Sequence, residues 1–391
     1  MSAIDLVVVG GGPAAHAAAT GYRAAGGTGR VVLLADERRA PYQRPPLTKD
    51  LLRGETEADA LALEERPGWY DEHGITVRAG VALALDPAAR TVTVDHGEKL
   101  AFGHCVLATG ATPTRPPIPG AARPGVQLLR TVEEALALRA AARPGAHVLV
   151  LGSGFIGCEA AASLRARGCR VTLVSHERAP QRERLGAAVA DRLAAWLEEA
   201  GVDARYDREV VGIDGGGAAP RVVLDDATAL DVDHVLLAGG VRPRGELAAR
   251  AGLVLTDRGE IPADASMRTA APFVLACGDC ARAHHALADR PLHVEHWGDA
   301  LAQGEVAGWT AAGHEAAWDT VPGFWSTIGT RTLKYAAWGD GFDDVRLVDH
   351  GDGAFTAWYG REGICVGVLT HGFDPDYEAG RGRIERGEPT P

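Results

Sequence analysis

A chain of 391 residues is long enough for two or three domains with their own cores. Hydrophobic residues at 46% and charged residues at 24% suit a globular chain, no apolar run approaches a membrane span, and residues 1–9 lead into a strand rather than a signal peptide, so a cytoplasmic protein is expected. The net charge of −12, with no basic stripe to offset it, argues against nucleic acid as a partner and hinders docking on an acidic protein unless the arginines cluster.

The first predicted element is the apolar strand Val7-Val8-Val9, followed by Gly10-Gly11-Gly12-Pro13-Ala14-Ala15 and an alanine-rich helix. In such a turn Gly10 makes the bend and Gly12 lets the backbone approach a pyrophosphate. Ala15 packs helix on strand, and the helix N-terminus faces the negative charge. A second strand, Arg30-Val31-Val32-Leu33-Leu34-Ala35-Asp36, ends in an acid about where one should meet a ribose 2′-hydroxyl. Next comes Pro41-Tyr42-Gln43-Arg44-Pro45-Pro46-Leu47-Thr48-Lys49, which carries one of only three lysines in the chain. Thr91-Val92-Thr93-Val94 alternates like a meander strand. His104–Ala108 reads as a strand that ends at Thr109-Gly110, and the proline-rich linker Ala111–Pro119 follows. A helix is predicted over Thr131–Ala142.

The pattern then repeats. The strand Val148–Leu151 runs into Gly152-Ser153-Gly154-Phe155-Ile156-Gly157 and a helix that carries Glu159. One such fingerprint is weak, but two in strand–turn–helix context imply two bound nucleotides. The next strand starts at Arg170 and ends in Ser175, with Glu177 the nearest acid. Glu177 would accept from a ribose 2′-hydroxyl and repel a 2′-phosphate, which favours NADH. Ser175, His176 and Arg178 could instead hold that phosphate. Helix Ala187–Ala200 and strand Arg221–Leu224 follow, and His234–Ala238 with Gly239-Gly240 repeats the His104–Gly110 pattern. The order suggests one nucleotide domain inserted in another.

Downstream comes Val274-Leu275-Ala276-Cys277-Gly278-Asp279-Cys280. That CxxC spacing admits a redox pair or half a metal site, but no second CxxC exists, and no metal site is expected. Val294-Glu295-His296-Trp297 opens a helix. After about Trp309, tryptophan, glycine and aspartate rise, and three β-like runs appear at Val345–Val348, Phe355–Tyr359 and Cys365–Leu369. These predict a small antiparallel domain, and the last dozen polar residues are expected to be loose.

The chain resembles, over nearly its full length, the FAD-dependent NAD(P)H:ferredoxin reductase branch of the two-dinucleotide-binding-domain flavoproteins. That branch includes putidaredoxin reductase, biphenyl dioxygenase reductase and apoptosis-inducing factor. The specific match is Pro41–Lys49 against P-Y-x-R-P-P-L-S/T-K. The resemblance implies FAD contacts from Arg44 and Pro45, and a Lys49 ammonium beside flavin N5 that is paired with Glu159. It also places Thr109, Gly110, Asp279, Glu295, His296, Trp297 and Trp325 along the FAD. Gly239 and Gly240 would lie along the nicotinamide nucleotide. Phe324-Trp325-Ser326 matches the branch, but Thr327-Ile328-Gly329-Thr330-Arg331 departs from its usual D-Q-Y-x-x-K, which leaves the electron acceptor open. Residues 37–75 contain no cysteine, which argues against a flavin-facing disulfide.

The expected architecture is α/β: two Rossmann-like dinucleotide-binding domains, the NAD(P) domain inserted in the FAD domain, plus a small α+β C-terminal domain. The expected bounds are 1–113 with 241–315 for FAD, 114–240 for NAD(P)H and 316–391 for the last. Lys49 and Glu159 are the expected catalytic pair. FAD is the expected cofactor and NAD(P)H the substrate. Ferredoxin is the first choice of acceptor. The rivals are a small acceptor (quinone, radical or oxygen) and a redox-sensing binding protein like apoptosis-inducing factor. A monomer or homodimer is expected.

Overall fold

The computed structural model describes residues 4–64, 66–215 and 219–391. The chain divides into two compact units, each discontinuous. The first holds the residues through Gln43, Asp59–Thr112 and Arg242–Phe324, and the second holds Arg44–Ala58, Pro113–Val241 and Trp325–Pro391. The segment Arg44–Ala58 thus groups with the middle of the chain. The C-terminal residues join it from Trp325 rather than forming a third unit.

The first unit is built on parallel strands in the order Ile75–Ala79, Val31–Ala35, Ile4–Val9 and Lys99–Leu107, with Val274–Ala276 beside the last. Leu6, Val7, Val8 and Leu33 are wholly buried, because both sheet faces are covered and the strands can be apolar throughout. Strand Lys99–Leu107 is long enough to serve two partners. Its start pairs antiparallel with Thr91–Val94, and its end pairs parallel with Ile4–Val9 and Val274–Ala276. Thr91–Val94 buries only Val92 and Val94, as a one-sided strand should.

Helices Pro13–Ala24 and Trp297–Ala311 touch through small residues. A Cβ on Gly304 would lie 2.4 Å from the Ala14 carbonyl oxygen, and one on Gly308 would lie 2.4 Å from that of Ala18. The backbones can approach this closely only because those side chains are missing. Trp309, where the composition shifts, lies within the second of these helices.

The second unit contains a parallel sheet in the order Asp203–Arg205, Arg170–Val174, His147–Leu151, His234–Leu237 and Val126–Gln127. The helix predicted over Thr131–Ala142 runs Val132–Ala141, with Thr131 and Glu134 forming a capping box. A three-stranded antiparallel sheet (Val210–Asp214, Arg221–Leu224, Ala229–Asp231) packs Ile213, Val222 and Leu224 against Leu149 and Val235. The C-terminal sheet has the order Gly323–Ile328, Arg331–Ala337, Ile364–His371, Ala354–Arg361, Asp344–Gly351.

The expectation of a loose C-terminus is corrected. Residues Asp374–Arg386 form a helix that buries Ile384 and Gly380, and the Cys365 amide donates to the Glu388 carbonyl. The tail is polar but docked, because one isoleucine and a glycine close against Val368 meet the sheet. Among the described residues, no helix is long and apolar enough to cross a membrane.

Candidate functional site

Gly10 lies at φ +145°, and a Cβ there would sit 2.1 Å from the Ala108 carbonyl oxygen. Gly152 lies at φ +110°, and its Cβ would sit 2.4 Å from the Ala238 carbonyl oxygen. The first glycine of each fingerprint is therefore required by the end of the neighbouring strand as well as by the bend. Ala108 and Ala238 occupy equivalent places in the repeat, so the duplication extends to this single contact. The third position differs. Ala15 is tolerated, fully buried, in the first unit, whereas a Cβ on Gly157 would strike the Gly152 carbonyl at 2.1 Å.

Both following helices, Pro13–Ala24 and Phe155–Ala166, begin at a glycine with no side-chain cap. Uncapped first-turn amides at the carboxyl end of a parallel sheet form an anion site. Beyond Gly154 there is room: the nearest atom to its Cβ position is the Gln181 amide nitrogen at 3.6 Å. Gly239 and Gly240 are exposed, with nothing within 4 Å of a Cβ. Phe155 and Ile156 are half-buried at the start of the second helix. These cradles fit a dinucleotide.

In the first unit Asp36 is half-buried and pairs with Arg244, whose Nη1 donates to Oδ2 at 3.0 Å. The Arg244 carbonyl accepts from Thr109 Oγ1 at 2.6 Å, and its amide donates to the Gly110 carbonyl at 2.9 Å. Asp36, Thr109 and Gly110 are thus joined by one arginine that sequence reasoning did not single out. Asp279 stands in the turn Gly278–Cys280, held by the Gly278 amide, which donates to Gln303 Oε1 at 2.8 Å. His296 stands at the N-cap position of the helix Trp297–Ala311, with no side-chain capping bond. Its Nδ1 is 3.4 Å from the buried Asp299 carboxylate, and its ring is 4.7 Å from that of Phe324. Trp297 is half-buried and Glu295 exposed.

In the second unit Ser175 is buried, and its hydroxyl lies 2.7 Å from that of Ser153 while also accepting the Glu177 amide. Glu177 is half-buried, and its carboxylate accepts the Glu183 amide at 3.4 Å. His176 and Arg178 are exposed, with Arg178 3.6 Å from Asp207.

The same unit contains a dense polar cluster. Lys49 Nζ lies 2.6 Å from Glu159 Oε2, with both side chains nearly buried at 11% and 7% exposure. Thr48 donates to the same oxygen at 2.5 Å, and Lys49 also donates to the Pro45 carbonyl at 3.0 Å. The other carboxylate oxygen accepts Ser326 Oγ at 2.7 Å and the Thr327 amide at 3.3 Å. The cluster satisfies a buried charge pair on all sides, the condition for its stability. Thr48 and Ser326 lie in the matched motifs and Thr327 opens the departing segment, but none of the three was expected to act in the site. Ser326 follows Trp325, which is itself exposed at 46%. Arg44 donates to the Arg130 carbonyl at 2.8 Å.

The Cys277–Cys280 spacing makes no disulfide: both thiols are free and buried, and burial pushes both up from the usual range. Cys280 donates to the Leu107 and Cys277 carbonyls. Such thiols are inert.

Two uncapped glycine cradles, each at the carboxyl edge of its own parallel sheet, are the arrangement of a protein that holds two dinucleotides. The chain belongs to the pyridine nucleotide-disulphide oxidoreductase family, whose pattern matches residues 4–313. It is 34% identical to the ferredoxin–NAD(+) reductase component of the anthranilate 1,2-dioxygenase system of Burkholderia cepacia, over 99% of this chain and 95% of that protein. It is 32% identical to human apoptosis-inducing factor 3 over 96% of this chain, but spans only 62% of that longer protein. A solved ferredoxin reductase from Rhodopseudomonas palustris superposes with a TM-score of 0.93 at 29% identity, covering 98% of this chain and 95% of the other.

Proposed function

We propose that this protein is an FAD-dependent oxidoreductase that takes hydride from NAD(P)H and passes electrons to a ferredoxin of an oxygenase system. The observation that carries the reading is the duplicated cradle, in which Gly10 and Gly152 make the same close approach to Ala108 and Ala238. One cradle serves each nucleotide. The similarity to a dioxygenase-system reductase along almost the whole chain supports ferredoxin as the acceptor.

FAD, when bound, supplies the hydride acceptor and the store for two electrons. The chain's residues bind and orient. The amides after Gly12 hold the FAD pyrophosphate, with Pro13 and Ala14 in the first turn. Asp36 takes the adenosine ribose, and Asp279 the ribityl chain. Arg44, Pro45, Thr109, Gly110 and Trp325 are further FAD contacts. Glu295, His296 and Trp297 serve the flavin end at the start of their helix. The amides after Gly154, with Phe155, Ile156, Gly239 and Gly240, hold the nicotinamide nucleotide. Lys49, fixed by Glu159, offers a positive charge where negative charge develops on hydride arrival. Glu177 favours NADH, and the Arg178–Asp207 contact draws the nearest cation toward an acid rather than a phosphate.

A cytoplasmic location, which six free cysteines suit, and a monomer or homodimer complete the proposal. A redox-sensing role is the second reading, favoured by Val294-Glu295-His296 and the similarity to human apoptosis-inducing factor 3. Anaerobic stopped-flow mixing with NADH or NADPH, followed by ferredoxin, quinone or oxygen, separates them. Fast reduction with fast one-electron transfer to ferredoxin is expected. Slow reduction with a long-lived reduced complex supports the sensor. Turnover with only quinone or oxygen points to a small acceptor, and a protein without flavin overturns the reading.

A further inference from the structure

Three segments of the second unit meet at the Glu159 carboxylate. Glu159 itself stands on the helix Phe155–Ala166. The turn Pro45–Thr48 and the residue after it reach one oxygen, and the strand Gly323–Ile328 reaches the other. Oε2 accepts Lys49 Nζ at 2.6 Å and Thr48 Oγ1 at 2.5 Å. Oε1 accepts Ser326 Oγ at 2.7 Å and the Thr327 amide at 3.3 Å. Thr48, Glu159 and Ser326 are all buried.

A glutamate carboxylate turns about its last side-chain bond with little preference of its own, so its donors set its orientation. Here each oxygen is held by one hydroxyl. An ammonium has three hydrogens, and Lys49 has three acceptors: Glu159 Oε2, the Pro45 carbonyl at 3.0 Å and Thr48 Oγ1 at 3.3 Å. Thr48 therefore touches both members of the pair, donating to the carboxylate and accepting from the ammonium. Thr327 opens the segment that departs from the branch's usual pattern, but it serves Glu159 through its backbone. Its hydroxyl lies 2.9 Å from that of Thr332 across the hairpin. The departure leaves the junction intact.

We propose that Thr48 and Ser326 are positioning residues for hydride transfer. One hydroxyl on each oxygen fixes the Glu159 carboxylate, and the carboxylate together with Thr48 fixes the Lys49 ammonium. The proposal rests on the reading above that Lys49 stands where negative charge develops on the flavin. A charge helps such a step most when it is already in place, and a misplacement of about 1 Å can cost on the order of a hundredfold in rate. Without the Thr48 hydroxyl, the ammonium keeps two acceptors and Oε2 one donor. Without the Ser326 hydroxyl, Oε1 keeps only the amide at 3.3 Å, and the carboxylate is free to turn.

The test is anaerobic reduction of the holoenzyme by NADH over a range of concentrations in the wild type, Thr48→Val, Thr48→Ser and Ser326→Ala, beside thermal midpoints and reduction by dithionite. Thr48→Val should lower the limiting rate about tenfold while the half-saturating NADH concentration stays as in the wild type. Thr48→Ser restores the hydroxyl and should recover the rate. Ser326→Ala should slow the limiting rate by a smaller factor, because the Thr327 amide stays on Oε1. All should keep a flavin that dithionite reduces. Hydroxyls that only fill the core predict lower thermal midpoints with the wild-type limiting rate. That result in Thr48→Val, or a Thr48→Ser as slow as Thr48→Val, overturns the proposal. If Thr48→Val sheds its flavin, Ser326→Ala decides, and a wild-type limiting rate there overturns the proposal. A wild-type protein that binds no FAD, or whose flavin NADH does not reduce, overturns instead the reading on which it rests.

Discussion

At the scale of single residues, the Lys49–Glu159 pair separates stability from chemistry. Both groups are nearly buried, so Lys49→Met strands a carboxylate that keeps only the Thr48 and Ser326 hydroxyls and the Thr327 amide. Breaking one side of such a pair costs about 3–5 kcal/mol, whereas replacing both sides with apolar groups is often close to neutral. Lys49→Met should therefore lower the thermal midpoint and slow flavin reduction while FAD stays bound. The double variant Lys49→Met/Glu159→Leu should recover much of the stability and none of the rate. Calorimetry beside stopped-flow reduction checks both, and recovery of the rate in the double variant would count against the role given to Lys49. Nucleotide choice also belongs to this scale. Glu177→Ala should narrow the preference for NADH over NADPH, read as the ratio of kcat/KM values, and an unchanged ratio removes Glu177 from the argument. The pair Lys49–Glu159 was reached only through the resemblance, since nothing in the sequence itself links positions so far apart.

At the scale of elements, two features of the helix Pro13–Ala24 lead to measurements. Its contact with Trp297–Ala311 depends on missing side chains. Gly308→Ala places a Cβ 2.4 Å from the Ala18 oxygen and 2.5 Å from the Tyr22 nitrogen. Alanine favours a helix interior by up to about 1 kcal/mol over glycine, but overpacking costs about 1–3 kcal/mol. A contact this short, against backbone that cannot rotate away, belongs at the upper end, so urea denaturation should show a net loss of stability. Gly298→Ala in the same helix meets nothing closer than 4.0 Å and should be tolerated. The second feature is His16, which bonds the Tyr70 hydroxyl through Nδ1 at 2.9 Å and is pushed down to about 4 by burial. The folded pKa lies below the unfolded value near 6.5, so the unfolded chain takes up the proton first. Stability should be unaffected above pH 6.5, fall between 6.5 and 4, and level off below, by at most about 3 kcal/mol. The Glu64 carboxylate, 3.6 Å from Nε2, acts the other way and trims this figure. Thermal midpoints over pH 4–7 should slope less steeply in His16→Gln. Elements with strong local pattern were legible: Thr91–Val94 and Arg221–Leu224 match their expected bounds. The hairpin of Gly323–Ile328 and Arg331–Ala337 was missed, although Gly329 at φ +63° marks its turn. The terminal helix was missed because its polar sequence says little about the two small contacts that dock it.

At the scale of the whole molecule, the internal repeat makes a prediction about independence. The sequence shows the repeat as two fingerprints and two strand-glycine turns, and the fold carries it down to one contact in each unit. The chain order does not reveal which unit each segment joins. Arg44–Ala58 lies between parts of the first unit in sequence yet belongs to the second, because Leu51 and Leu52 are buried there and Arg167 and Arg139 donate to its backbone. If each cradle serves one nucleotide, damage to one should leave the other occupied. Gly152→Ala forces a Cβ against the Ala238 oxygen at a backbone angle that alanine resists, in the second unit only. That variant should purify with its flavin, accept electrons from dithionite, and fail to be reduced by NADH. Gly10→Ala makes the corresponding clash with Ala108 in the first unit and should yield protein depleted of flavin that still binds NADH, measured by calorimetric titration. Crossed losses, with flavin gone from the Gly152 variant or NADH binding gone from the Gly10 variant while both remain folded by circular dichroism, would show that the two nucleotides do not divide between the units as the duplicated geometry requires.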